Sequence, residues 1–366
     1  MKVLFTYLVA FSGNGGIQKF NRCFIKALHD LHNQKAIQLS ISSPYDSNID
    51  EKYIEKSLFI NGLNKFFFFL STLISSFNFD VVILGHINLA SLGWTIKLLF
   101  PQKKVILITH GIEVWRPLSF FGRAILENCD SILAVSQFTK DVISKNHSID
   151  PLKIVVFHNT IDPFLKLPST FTKPKYLIDR YGIKPNNKVL VTIARLSSSE
   201  LYKGYDLVID VLGKLTDLNL IYLIGGKYDE AEKQRINLMI KTHQLEKNVF
   251  LTGYVNDLEL TDHYLLADLF IMPSKKEGFG IVFIEAMACG LKVIAGNKDG
   301  SVDALRNGEL GYLINPDSKE EIETAIFKAF ENPLSAWDKT ILQQKVIEYF
   351  GFDAYKKRLA NVLESL

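Results

Sequence analysis

The sequence predicts an α/β chain of two domains, each a parallel β-sheet with helices on both faces. Short apolar, β-branched runs alternate with longer helical stretches along all 366 residues. Continuous apolar strands separated by helices mark sheets that are buried on both sides. The series occurs twice, on either side of a polar stretch punctuated by Pro163, Pro168 and Pro174. A chain of this length is too long for one typical domain and comfortable for two.

Taken in order, the strand-like runs of the first half are 2–10, 37–42, 80–85, 104–109, 131–135 and 153–158. Those of the second half are 188–194, 219–225, 248–252, 269–272, 292–295 and 311–314. The boundary falls within 162–175, which divides a domain of residues 1–165 from one of residues 166–348. The last segment, 349–366, reads as helix after a break near Phe350 and Phe352.

Composition excludes several classes. Hydrophobic residues at 48% and charged residues at 22% give an ordinary globular balance with material for two cores. A net charge of +3 does not single out nucleic acid as a partner. The surplus is uneven: +4 over residues 1–165 and −1 over residues 166–366. Three distant cysteines, Cys23, Cys129 and Cys289, suit neither a disulfide framework nor a zinc site, and fit a reducing cytosol. The apolar start through Phe11 has the look of a short signal peptide, but it lacks a small-residue cleavage site. Its following glycines suit a strand-to-helix turn better. No apolar run reaches the roughly 18 residues that a spanning helix needs.

Four motifs carry candidate chemistry. Ser12-Gly13-Asn14-Gly15-Gly16-Ile17-Gln18 follows the first strand, where glycines let backbone amides approach a phosphate and a helix N-terminus favours an anion. A dinucleotide fingerprint would need a third glycine where Gln18 stands; a plain tight turn is the bland alternative. His110-Gly111-Ile112-Glu113-Val114-Trp115 closes a strand at its carboxyl end, where open α/β sheets place ligands. A capping histidine with Glu113 in a solvated loop is the competing view. Arg195 ends the first strand of the second domain, and Lys203-Gly204 follows eight positions later. A guanidinium fork and a point charge delivered by one turn suit a diphosphate. The fourth is the strongest: Pro273-Ser274-Lys275-Lys276-Glu277-Gly278-Phe279-Gly280-Ile281-Val282-Phe283-Ile284-Glu285 reads as strand, glycine loop and helix. Glu277 at a loop tip can accept two sugar hydroxyls. Glu285, among apolar neighbours, needs a partner to be buried there.

Together these motifs resemble the family 4 retaining glycosyltransferases of the GT-B fold, over nearly the whole chain and in the right order. The two acids with seven residues between them, Gly-Phe-Gly included, are the most specific part. The resemblance implies two Rossmann-like domains facing across a cleft, with the C-terminal helix crossing back to the first. It implies that Glu277 holds the donor sugar hydroxyls and Glu285 the ribose. Arg195 and Lys203 would hold the diphosphate, and Gly15 and Gly16 would form the first-domain loop under the phosphates. His110 would lie beside the reacting sugar. The backbone of Gly278, Phe279, Gly280, Ile281 and Val282 would touch sugar and phosphates, and the Thr252-Gly253-Tyr254-Val255 turn would lie near the base. The His110-to-Trp115 element is similar to one in mannosyltransferases that use GDP-mannose. Asp299-Gly300-Ser301-Val302-Asp303 departs from the commoner Gly-Gly-x-x-Glu pattern and leaves the donor open.

The expected reaction moves a hexose with retention from a nucleotide-diphosphate sugar, GDP-mannose first and a UDP-hexose next. The acceptor would be a saccharide or a lipid-linked saccharide, in surface polysaccharide or glycolipid synthesis. No cofactor or metal is expected, since the cations and helix amides can hold the leaving diphosphate. The expected location is cytoplasmic, with peripheral contact at the inner membrane face through the aromatic stretch from Leu63 to Phe79. A helix packed on the first sheet is the simpler account of that stretch, although four consecutive phenylalanines cannot all face one core. A sugar-nucleotide epimerase on the same scaffold and a non-catalytic nucleotide-sugar-binding protein are the competing functions.

Overall fold

The computed structural model describes residues 1–61, 65–215 and 219–366. It divides into two compact units: Met1–Pro163 with Phe350–Leu366, and Phe164–Tyr349.

The first unit runs β1 (Lys2–Thr6), α1 (Gly16–Asn33), β2 (Gln38–Ser43), β3 (Phe59–Asn61), α2 (Lys65–Ser76), β4 (Val81–Leu84), α3 (Ala90–Leu99), β5 (Lys104–Thr109), α4 (Ile112–Trp115), α5 (Phe120–Asn128), β6 (Ser131–Ala134), α6 (Gln137–His147) and β7 (Ile154–Val156). Among the described residues seven strands form one sheet in the order β3-β2-β1-β4-β5-β6-β7. Every pairing in it is parallel. The order reverses between β1 and β4, and the carboxyl ends of strands at such a switch leave a crevice for ligands. Val82, Leu84, Val105, Leu107 and Ile132 are fully buried and line one face of the sheet.

Two details differ from expectation. β1 ends at Thr6 rather than at residue 10, because the buried Asp46 carboxylate draws the chain out of the sheet. It accepts the amides of Ala10, Phe11 and Ser12 at 2.7, 3.0 and 2.9 Å. β3 is an added edge strand, too short to carry a period of its own.

The second unit runs α7 (Lys175–Tyr181), β8 (Lys188–Ile193), α8 (Tyr205–Leu212), β9 (Leu220–Gly225), α9 (Glu230–Thr242), β10 (Val249–Gly253), α10 (Asp257–Leu266), β11 (Leu269–Met272), α11 (Ile281–Ala288), β12 (Lys292–Gly296), α12 (Ser301–Ala304), β13 (Tyr312–Ile314), α13 (Lys319–Glu331) and α14 (Ala336–Phe350). Its described strands form a second parallel sheet, β10-β9-β8-β11-β12-β13, with the switch between β8 and β11. Leu190, Tyr222, Ile224, Ile271 and Ile294 are fully buried in its core.

The last helix, α15 (Phe352–Glu364), packs in the first unit. Tyr355, Leu359 and Leu363 recur every fourth residue and are buried, a single apolar stripe. That stripe meets α1, whose Phe20, Phe24, Ala27, Leu28 and Leu31 form its own apolar face. The Phe20 and Tyr355 rings lie 6.4 Å apart, and Lys356 pairs with Asp30 at 3.6 Å. Thr160 and Ile161 both donate to the Phe350 carbonyl at the break before α15.

Candidate functional site

In the first unit the candidate residues lie at the carboxyl ends of β1 and β5. Gly15 is the N-cap of α1 and Gly16 its first residue. Its N-cap is a glycine with no side chain to cap the helix, so among the described residues its leading amides can face an anion. Asp46 fixes the loop before it on one side. From the other side Arg22 donates to the carbonyl of Ala10 at 3.0 Å, and Asn21 to that of Val9 at 2.8 Å.

His110 directly follows β5. Its Nε2 lies 2.8 Å from the Gly85 carbonyl, which can only accept, so Nε2 carries a proton. Phe20 stands edge-on to the imidazole at 4.9 Å, and His86 stacks on it at 5.9 Å. Burial pushes the His110 imidazole down to about 4, against the raising effect of the Gly85 bond. The ring is therefore neutral at pH 7, and Nδ1 keeps its lone pair. Burial, and the proximity of His110, lower His86 in the same sense. Glu113 is not simply solvated: its carboxylate accepts the amides of His110 and Gly111.

In the second unit the two cations are held by different acids. Arg195, just beyond β8, is exposed and paired with Glu200. Lys203 donates to Glu277, with both side chains largely buried. Gly204 makes that approach possible. It has φ +79°, and a Cβ there would lie 2.4 Å from the Pro273 carbonyl oxygen. The Tyr202 carbonyl also accepts the Lys275 amide at 2.9 Å, zipping the two turns together.

The loop of Glu277 rests on the segment after β12. Asp299, wholly buried, accepts the Glu277 amide at 2.6 Å and the Ser301 amide at 2.9 Å. The Gly300 amide donates to the Glu277 carbonyl at 2.8 Å. A Cβ on Gly300 would stand 2.1 Å from the Gly278 carbonyl oxygen. Gly300→Ala is accordingly expected to destabilise the second unit by about 1–3 kcal/mol through overpacking. Thermal unfolding checks this, and an unchanged midpoint would show that the two loops part freely.

Gly280, in the left-handed region at φ +88°, is the N-cap of α11, and no side chain caps the helix. Ile281 and Val282 thus open the helix with amides that, among the described residues, no capping side chain satisfies. Phe279 is buried beside them. Glu285 is buried in the second turn, where the Tyr264 hydroxyl donates to it at 3.2 Å. Gly253 ends β10 at φ +73°; Tyr254 beyond it is exposed, with the Lys227 ammonium 5.2 Å from its ring centre, and Val255 is buried.

The second unit thus brings Lys203, Glu277, Asp299 and the α11 N-terminus into one cluster at the β8/β11 switch. Arg195 is not drawn into the Lys203 pair. His110, Gly15 and Gly16 belong to the first unit. Sequence reasoning missed Asp46, His86, Tyr264 and the bonding role of Asp299. The Asp-Gly-Ser departure was the one visible signal for Asp299.

Two family models match the chain: Glycosyltransferase Family 4 over residues 15–164 and Glycosyl transferases group 1 over residues 176–349. Mannosylfructose-phosphate synthase of Agrobacterium fabrum is 29% identical over 216 residues, which is 57% of this chain and 46% of that protein. The GDP-mannose-dependent alpha-(1-6)-phosphatidylinositol monomannoside mannosyltransferase of Mycolicibacterium smegmatis is 27% identical over 253 residues, 64% of this chain and 63% of the relative. The matched stretches span about half to two-thirds of these two relatives. Anabaena HepE, solved in complex with UDP, superposes with a TM-score of 0.81 over 100% of both chains at 19% identity. Sucrose-phosphate synthase of Thermosynechococcus elongatus does so at 0.76 and 18% identity, over 99% of this chain and 98% of the other. At such identities the likeness is one of fold, and it is the fold of two parallel Rossmann-like sheets described above. The chain thus has the two-sheet architecture of the GT-B fold, with a first stretch that matches the Glycosyltransferase Family 4 model and a second that matches the Glycosyl transferases group 1 model.

Proposed function

We propose that the chain transfers a hexose, with retention of configuration, from a nucleotide-diphosphate sugar to a saccharide or lipid-linked acceptor. The observation that carries this reading is the cluster of Lys203, Glu277 and the uncapped α11 N-terminus at the switch of the second sheet. A cation and open helix amides suit a diphosphate, and an acid beside them suits sugar hydroxyls. GDP-mannose is the favoured donor. Two relatives whose names refer to mannose support it, one of them also to GDP-mannose. The UDP bound in Anabaena HepE keeps a UDP-hexose as the second choice.

In this reading Arg195, Lys203 and the amides of Phe279 to Val282 bind the diphosphate. Glu277 takes the sugar hydroxyls and Glu285 the ribose, while Gly253, Tyr254 and Val255 border the base. Gly15, Gly16 and His110 serve from the first unit. Neutral His110, with its lone pair on Nδ1, accepts a hydrogen bond from a sugar hydroxyl and places no positive charge beside a cationic centre. As the sugar–phosphate bond breaks, its electron pair leaves with the diphosphate. A phosphate oxygen on the same face takes the acceptor hydroxyl proton as the new glycosidic bond forms. The chain contributes positioning and charge stabilisation and needs no enzymic nucleophile.

Thermal unfolding with GDP, UDP and ADP tests the donor site. A ligand at 100 times its Kd adds about 2.7 kcal/mol, a readable shift. A shift with GDP alone supports the favoured donor, and a shift with UDP alone moves the reading to UDP-hexoses. No shift with any of the three would remove the nucleotide-sugar reading. Release of nucleoside diphosphate only when an acceptor is present separates a transferase from an epimerase or a binding protein.

A further inference from the structure

We infer that the first unit docks on an anionic lipid surface through a continuous apolar face built by α2, α3 and α5. On α2 the exposed side chains are Phe66 (69%), Phe67 (55%), Leu70 and Ile74 (71%), and Phe77 (67%) continues the line just past the helix. Positions 66, 70, 74 and 77 share one helical face. The opposite face, with Phe68, Thr72 and Ser76, is buried against the core. Residues 62–64, at the start of the aromatic stretch, lie outside the described residues.

The face does not stop at α2. The Phe77 ring meets Phe100 at 5.0 Å, at the end of α3, next to exposed Leu98 and Leu99. One turn earlier, Trp94 meets Phe120 and Phe121 of α5 at 6.0 and 5.5 Å, both exposed. Apolar groups on three neighbouring helices exceed what scattered surface residues give, and a contiguous patch of this kind marks an interaction surface.

Charge selects the occupant. Residues 65–128 carry six Lys and Arg against Asp80, Glu113 and Glu127. Asp80 accepts the Lys2 amide, and Glu113 accepts the His110 and Gly111 amides, so both serve the backbone. Arg116 and Arg123 are exposed, with Arg123 one turn beyond Phe120. Lys103 binds the Phe77 and Phe79 carbonyls at the end of α2. A second copy of this chain would set the same positive segment against itself. Apolar rings edged by cations instead match the acyl boundary and headgroups of an anionic membrane. Among the described residues no helix is long and apolar enough to cross a membrane, so the contact is peripheral.

The test is co-sedimentation of the full chain with phosphatidylcholine vesicles, with and without phosphatidylglycerol. No donor or acceptor is present, so the result is independent of the transferase reading. The expected result is binding to the phosphatidylglycerol vesicles at low salt. Phe66→Ser/Phe67→Ser/Ile74→Ser should weaken it on the order of tenfold to a hundredfold, and Arg116→Glu/Arg123→Glu should weaken it further. Phe120→Ser/Phe121→Ser, on a different helix, guards against a folding defect in the first variant and should weaken binding too. Absence of binding at low salt, unchanged binding by both apolar variants, or a dimer in light scattering that the apolar variants abolish would overturn the inference.

Discussion

Lys203→Ala is expected to lower kcat/KM about a thousandfold, near 4 kcal/mol of transition-state stabilisation. Two losses combine. In the proposed reaction the leaving diphosphate loses a cation that would neutralise its growing charge. Glu277, whose side chain is 13% exposed, also loses its ion partner, and a largely buried charge stripped of its partner costs about 3–5 kcal/mol. Because the two losses share one group, Lys203→Ala and Glu277→Gln should not add: the double variant should fall little below either single one. Steady-state kinetics of the three variants check this, and a near-wild-type kcat/KM for Lys203→Ala would remove the role. The pH dependence follows from the pair. Burial works against the Lys203 charge, but the Glu277 carboxylate and its hydrogen bond outweigh burial and hold the ammonium above its ordinary value. A raised value leaves the contribution fully present below the unfolded-state pKa of about 10.4, to be lost only as pH climbs through the folded one. No change linked to Lys203 is expected between about pH 6 and 9.

The fold was legible because its signals are local. Runs such as 104–109 and 269–272 are short and mostly apolar, bounded by polar or turn residues, and they became β5 and β11. Glycine loops followed by helical periodicity located α1 and α11. Contacts between distant residues were not legible. Asp46 shortens β1 through bonds spanning 34–36 residues, and nothing in its own loop announces a buried carboxylate. Tyr264 meets Glu285 from another helix. The Lys203–Glu277 pair joins two motifs that spacing alone treats as separate, while Arg195, next in line by spacing, turns to Glu200 instead. Chemistry-bearing residue types can be found one motif at a time, but which of them share a hydrogen bond is a property of the folded sheet.

Asp299→Asn should cost thirty- to a hundredfold in kcat/KM, about 2–3 kcal/mol, and should abolish the acid limb expected of the wild type. The Asp299 carboxylate uses one oxygen for the Glu277 amide and the other for the Ser301 amide. An asparagine offers one oxygen and one NH2 group, so one backbone N–H must face a donor. The loop carrying Glu277 then loosens just where its carboxylate meets Lys203. Protonating the native carboxyl creates the same mismatch. Burial pushes Asp299 up to about 6, with the bonds from the two amides opposing it and the Glu277 charge adding to it. Activity should therefore fall as pH drops below about 6. His110, held down at about 4, does not titrate in that window. Stability should run the other way. The folded carboxyl holds its proton more tightly than the unfolded one, whose value is about 3.9, so the native state binds the extra proton between the two values. The group's contribution to stability thus declines as pH rises from about 4 to about 6, while activity increases. Asparagine carries no titrating proton and should flatten both trends. Kinetics and melting temperatures across pH 4.5–8, for wild type and Asp299→Asn, measure them together. An acid limb that survives in the variant with the same midpoint would place the controlling proton on another group.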